Sequence, residues 1–130
     1  MRFDAVVIGT SAGGLAALTT ILSALPEDYP IPVIIVQHRA KTEPTLLEEV
    51  LSYKSRIRIA QADEKQEIRP GTVYFAPGDY HLLIEQDHTF CLSFDPPVHY
   101  SRPSIDVLFE SAAMVYQKRL LAVILTGANS

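Results

Sequence analysis

The apolar run Ala5-Val6-Val7-Ile8 ends in Gly9-Thr10-Ser11-Ala12-Gly13, and a helical apolar pattern follows from Leu15 to Leu25. A strand, a glycine-rich turn and a helix in that order commit the start of the chain to an α/β arrangement. A serine between two glycines at such a turn has the G-x-S-x-G elbow pattern, which pushes a hydroxyl into the open. The glycines permit a tight backbone and a close approach by substrate. The unpaired N–H groups at the start of the following helix face the turn, where an oxyanion would develop. The functional reading makes Ser11 a nucleophile. The plain alternative is a tight turn in an α/β domain.

A dinucleotide fingerprint overlaps the same residues. Gly9 and Gly14 fit the first and third glycines of G-x-G-x-x-G, but Ser11 stands where the second should be. That glycine lets backbone approach a pyrophosphate, and a side chain there obstructs it. The second strand should also end in an acidic residue, whereas Val33-Ile34-Ile35-Val36 ends in Gln37-His38. Both departures count against a nucleotide site. Both supply what a hydrolase needs, a hydroxyl and an imidazole.

Composition narrows the classes further. The 130 residues carry a net charge of −4 with 48% hydrophobic residues, ordinary for one globular domain. No basic stripe appears, so nucleic acid is not an expected partner. Apolar runs are too short to span a bilayer, and the N-terminus does not read as a signal peptide, so the expected location is the cytoplasm without membrane insertion. The single cysteine, Cys91, has no disulfide mate and no metal-ligand spacing, and it sits in a strand pattern as a packed residue. No cofactor and no metal are expected.

Strands are predicted at 3–9, 33–37, 56–59, 72–76, 81–85, 89–94 and 120–125, and helices at 13–25, 43–53 and from an N-cap at Ser104 to about Gln117. The predicted fold class is α/β, a doubly wound, mainly parallel sheet with an inserted antiparallel β-hairpin, in a single domain over 1–130. Ligands in such sheets bind outside the carboxyl ends of the strands. Ser11, His38 and the segment 126–130 each follow one of the most apolar strands, so topology brings them to one edge. A hydroxyl, an imidazole and a third loop match a triad layout whose acid is still to be named. The strand 120–125 is followed by almost no chain, so part of its apolar surface is expected to be exposed. The expectation is a domain incomplete at its C-terminus; the alternative is a partner chain, or self-association, covering that face.

The chain resembles the catalytic domain of chemotaxis protein-glutamate methylesterases of the CheB type. The matching segments are Ile8-Gly9-Thr10-Ser11-Ala12-Gly13-Gly14, Val36-Gln37-His38, Ala76-Pro77-Gly78-Asp79-Tyr80-His81-Leu82, Arg102-Pro103-Ser104-Ile105-Asp106-Val107-Leu108-Phe109 and Ile124-Leu125-Thr126-Gly127. The resemblance implies a Ser-His-Asp triad with Ser11 as nucleophile and His38 as general base. The family acid lies in a segment resembling L-T-G-M-G-x-D-G, whose first six places correspond to residues 125–130; the aspartate would come next. Ala128 stands where the family has methionine, and Asn129 where it has glycine. The resemblance also implies an active-site loop in which Ala12, Gly13 and Ala128 serve the oxyanion. The expectation is a catalytic domain without the family's N-terminal receiver domain.

By this resemblance the chain hydrolyses glutamate methyl esters on a chemoreceptor-type protein, and deamidates glutamine by the same route. Loss of the triad acid costs about 10⁴ in kcat in a serine protease, so this form is expected to be nearly inactive. The alternative is a signalling or binding module that keeps the fold without turnover. Arg102 is a candidate to meet a substrate carboxylate. His81, His88 and His99 read as surface or turn residues, Asp79 as a turn former, and Asp106 as a favourable charge in a helix's first turn.

Overall fold

The computed structural model describes residues 2–38 and 47–126. In chain order the elements are β1 (Ala5–Thr10), a 3₁₀ turn (Ala12–Gly14), α1 (Leu15–Ala24), β2 (Val33–Gln37), α2 (Leu47–Lys54), β3 (Arg58–Gln61), β4 (Thr72–Phe75), β5 (His81–Ile84), β6 (Phe90–Ser93), α3 (Ile105–Tyr116), a second 3₁₀ turn (Gln117–Arg119) and β7 (Leu120–Leu125). Five strands form one sheet in the order β3-β4-β2-β1-β7, and every neighbouring pair is parallel. The predicted helix start at 43–46 lies outside the described residues.

Both faces of the sheet are covered, which is why its central strands read as continuous apolar runs. All of β1 is buried. Ala5 and Val7 pack with Ile34, Val36, Tyr74, Leu108 and Ala112 on the α3 side. Val6 and Ile8 pack with Leu18, Leu22, Ile35, Leu51 and Phe75 on the side of α1 and α2. Each fully buried aliphatic side chain contributes roughly 1.5–3 kcal/mol, so the two cores hold the central strands in register.

Local chemistry fixes the helix ends. Leu25 is extended, as the residue before Pro26 must be. Ser104 caps α3, its hydroxyl oxygen accepting the Val107 N–H at 3.4 Å, and Asp106 lies in the first turn. β3 begins two residues later than its alternating pattern suggests. Ile57 is already buried, but ladder pairing with β4 runs only from Arg58 opposite Thr72 to Gln61 opposite Phe75.

The hairpin β5–β6 is antiparallel and forms its own two-stranded sheet. It packs beside α3, where the Ile84 N–H donates to Ser111 Oγ at 3.0 Å, and its Leu82, Ile84 and Phe90 join the core on the α3 side of the sheet. β7 is an edge strand of the main sheet. Its Leu121 and Ile124 are exposed, together with Met114 of α3. The chain runs from β1 to β2 on one side and reaches β7 on the other, so the strand order reverses at β1 and β7. The carboxyl ends of these strands form the topological switch point, the usual ligand position in such sheets.

Candidate active site

The exit of β1 is tied to both neighbours. Thr10 and Gln37 are register partners, and parallel strands lie ~5 Å apart. Their successors, Ser11 and His38, therefore leave adjacent strands at the same level of the carboxyl edge. The His38 N–H donates to Thr10 O at 2.9 Å, and the Ser11 N–H donates to Leu125 O at 3.3 Å. Thr10 is fully buried, and its hydroxyl donates to Ser11 O at 3.0 Å. Thr10 thus touches both candidate residues. It was not singled out from the sequence, where it is only the variable position between Gly9 and Ser11.

Ser11 does not adopt the strained geometry of a hydrolase elbow. Its φ of −84° and ψ of 171° are ordinary extended backbone. The chain turns afterwards, in the 3₁₀ turn, which the Gly14 N–H closes on Ser11 O at 2.9 Å. The glycines are needed for space. A Cβ on Gly9 would lie 2.5 Å from Ile105 Cγ2, and one on Gly14 would lie 2.8 Å from Leu125 O and against the Thr10 hydroxyl. Gly9 therefore admits the first residue of α3, and Gly14 lets the turn close on the end of β7. The N–H groups of Ala12 and Gly13 precede the first intrahelical bond, the position from which helix N-termini serve anions.

His38 Nε2 is buried and has no hydrogen-bond partner among the described residues; Gln37 Oε1 is in the same state. Buried polar atoms are nearly always paired, so an orphan imidazole nitrogen at a sheet's ligand edge calls for a functional explanation. Among the described residues, no group of three or more His, Cys, Asp and Glu could hold a metal ion. Burial, reinforced by Glu64 and Glu85, pushes the Cys91 thiol up, away from reactive thiolate character. Ala128 lies outside the described residues.

Around this edge the structure corrects one reading. His81 is 2% exposed and is not a surface histidine. Its Nδ1 accepts the Ser104 N–H at 3.2 Å, and its Nε2 faces Pro96 O at 3.0 Å. Those partners fix the neutral tautomer with hydrogen on Nε2. His88 and His99 are exposed and sit at positive φ, as does Asp79, in keeping with turn roles. The carboxylate that Arg102 meets is that of Asp79: Nε and Nη2 donate to Asp79 Oδ1 at 3.2 and 3.0 Å, while Nη1 donates to Phe94 O and Asp95 O.

An open cleft of about 440 Å³ lies elsewhere, between Arg58, Ala60, Glu67, Arg69, Thr72 and Tyr74. It includes neither Ser11 nor His38. The switch point, not this cleft, carries the hydroxyl and the imidazole that is unpaired among the described residues.

Residues 6–130 match the family model described as CheB methylesterase. The chain belongs to the CheB methylesterase family. A putative protein-glutamate methylesterase/protein-glutamine glutaminase of Leptospira interrogans is 52% identical over 130 residues, covering 100% of this chain and 67% of the relative. The enzyme of that name from Symbiobacterium thermophilum is 42% identical over 122 residues, covering 94% of this chain and 34% of the relative. The crystal structure of the Thermotoga maritima CheB methylesterase catalytic domain superposes with a TM-score of 0.90 at 34% identity, over 100% of this chain and 70% of that one. The family is one of ester hydrolases, and the mainly parallel sheet seen here is the fold of its catalytic domain. No helix among the described residues is long and apolar enough to cross a membrane.

Proposed function

We propose that the chain is a single catalytic domain that hydrolyses γ-methyl esters of glutamate side chains on a protein of the chemoreceptor type, with Ser11 as nucleophile and His38 as general base. One observation carries this reading: a buried imidazole nitrogen, unpaired among the described residues, beside a serine at the switch point of a sheet whose relatives are named protein-glutamate methylesterases. Ser11 Oγ forms a bond to the ester carbonyl carbon while His38 takes its proton. The N–H groups of Ala12 and Gly13 stabilise the oxyanion, with the loop around Ala128 as a further donor. Collapse of the tetrahedral intermediate breaks the bond to methoxide, which leaves as methanol with the proton from His38. Water then attacks the acyl-enzyme by the same steps in reverse roles and frees the carboxylate. An aspartate following Ser130 would orient His38. The same sequence with ammonia as leaving group is glutamine deamidation. Such a domain works in the cytoplasm, with the modified region of its partner as substrate.

Methanol release from a γ-methyl-glutamyl polypeptide, measured on the full-length protein, tests the reading. Ser11→Ala should abolish release, and unchanged release would refute the assignment.

A further inference from the structure

Strand alternation decides which face of the sheet carries the candidate site. Ala5 and Val7 of β1 face α3, whereas Val6 and Ile8 face α1 and α2. Side chains alternate along a strand, so Gly9 also faces α3. β1 runs to Thr10 and Ser11 keeps extended backbone, so the Ser11 side chain returns to the α3 side, one pleat beyond Gly9 and roughly 7 Å along the strand. In β2, Ile34 and Val36 face α3. The ladder continues through the bond from the His38 N–H to Thr10 O, so His38 follows on the same side.

Ile105, the first residue of α3, fills the place that a Gly9 side chain would take. A Cβ on Gly9 would lie 2.5 Å from its Cγ2 and 2.9 Å from both Cγ1 and Cδ1. Ile105, Leu108, Ala112 and Tyr116 make the stripe that α3 turns to the sheet. The last three are buried. Ile105 packs on the same core but is only half-buried. α3 runs from Gly9 back toward the start of β1, where the Asp4 N–H donates to Arg119 O at 2.8 Å. Its N-terminus therefore stands at the carboxyl edge of the sheet. Helical side chains tilt toward the N-terminus of their helix, so Ile105 leans toward Ser11. The helix start is pinned as well: the Ser104 N–H donates to His81 Nδ1 at 3.2 Å, and Ser104 Oγ accepts the Val107 N–H.

We propose that Ile105 is a specificity-determining residue, the apolar wall against which the methylene groups of the esterified side chain pack. This rests on the proposed esterase reading. In the tetrahedral intermediate the former carbonyl carbon holds Ser11 Oγ, the oxyanion, the methoxy group and the acyl chain. The oxyanion turns to the N–H groups of Ala12 and Gly13, where the chain bends toward α1. The methoxy oxygen turns to His38 on the β2 side, because the imidazole that took the serine proton returns it there. The acyl chain is left to run back over β1 toward the start of α3, where Ile105 stands. A glutamyl ester brings methylene groups to that wall, and apolar contact of this kind discriminates by chain length.

The test compares ratios of kcat/KM on the full-length protein, so that any loss of folded protein cancels. p-Nitrophenyl butyrate against p-nitrophenyl acetate probes the acyl side, and propyl against methyl butyrate probes the alcohol side. In Ile105→Ala the butyrate-to-acetate ratio should fall about tenfold relative to wild type. In Ile105→Val, the milder change, it should fall by a smaller factor. The propyl-to-methyl ratio should hold in both. Ser11-dependent hydrolysis with an acyl ratio unmoved in both variants overturns this inference and leaves the esterase reading standing. A change confined to the alcohol ratio also overturns it, and would place Ile105 beside the leaving group. Hydrolysis that survives in Ser11→Ala rejects the esterase reading itself, and this inference with it.

Discussion

The backbone N–H of His38 donates to the carbonyl of Thr10 at 2.9 Å, so the residue after β2 is anchored to the residue just before Ser11. The hydroxyl of the same threonine donates to Ser11 O. The relative placement of serine and imidazole is thus set by one buried side chain and two strand ends rather than by flexible loops. Thr10→Val keeps the shape and removes the hydroxyl. Ser11 O retains the Gly14 N–H, so no carbonyl is orphaned, and the cost in a denaturant titration should be about 0.5–1.5 kcal/mol. Ester hydrolysis should fall by more than this stability change accounts for.

Gly14→Ala tests how closely the turn sits against β7. The added methyl would meet Leu125 O at 2.8 Å and the Thr10 hydroxyl, neither of which can yield without moving a strand end. Overpacking of this kind costs about 1–3 kcal/mol. Thermal melting should show that loss, with hydrolysis impaired even below the transition.

His81→Leu would leave the Ser104 N–H and Pro96 O without the imidazole that now satisfies both. The expected loss is about 1–3 kcal/mol, since the buried Ser104 N–H loses its partner. His81→Gln, which can both donate and accept, should recover part of it. Urea midpoints of the two variants make the comparison.

The contrast between His81 and His38 shows what the sequence could and could not reveal. The strands β1 and β2 were legible because burial on both faces writes an unbroken apolar run; β7 carries the same kind of run although part of it is exposed. The edge position of Ser11 and His38 followed from topology alone. The burial of His81 was not legible, because it is created by Pro96 and Ser104, 15 and 23 residues away. The start of β3 was misplaced for a related reason: Arg56-Ile57-Arg58-Ile59 has the alternation of a strand, but the register with β4 decides where pairing begins. The role of the glycines was only half visible. Their necessity could be read, but their clash partners, Ile105 and Leu125, come from the other end of the chain.

Tyr116 gives a prediction on the alkaline side. Burial, with smaller contributions from Asp4 and Tyr74, pushes its hydroxyl up to about 12 from the usual value of 10. The unfolded chain ionises first, so this stabilising contribution is complete below about pH 10 and is lost as pH rises toward 12. An ultraviolet titration should show one of the six tyrosines ionising late. Tyr116→Phe should remove that step and flatten the fall in stability over the same window.

The most direct measurement is covalent labelling of the intact protein by a fluorophosphonate, with the adduct located by peptide mapping. The account predicts a single adduct on Ser11 and a labelling rate about 10²–10⁴ lower in His38→Gln. Labelling at another residue, or an equal rate in His38→Gln, would contradict it.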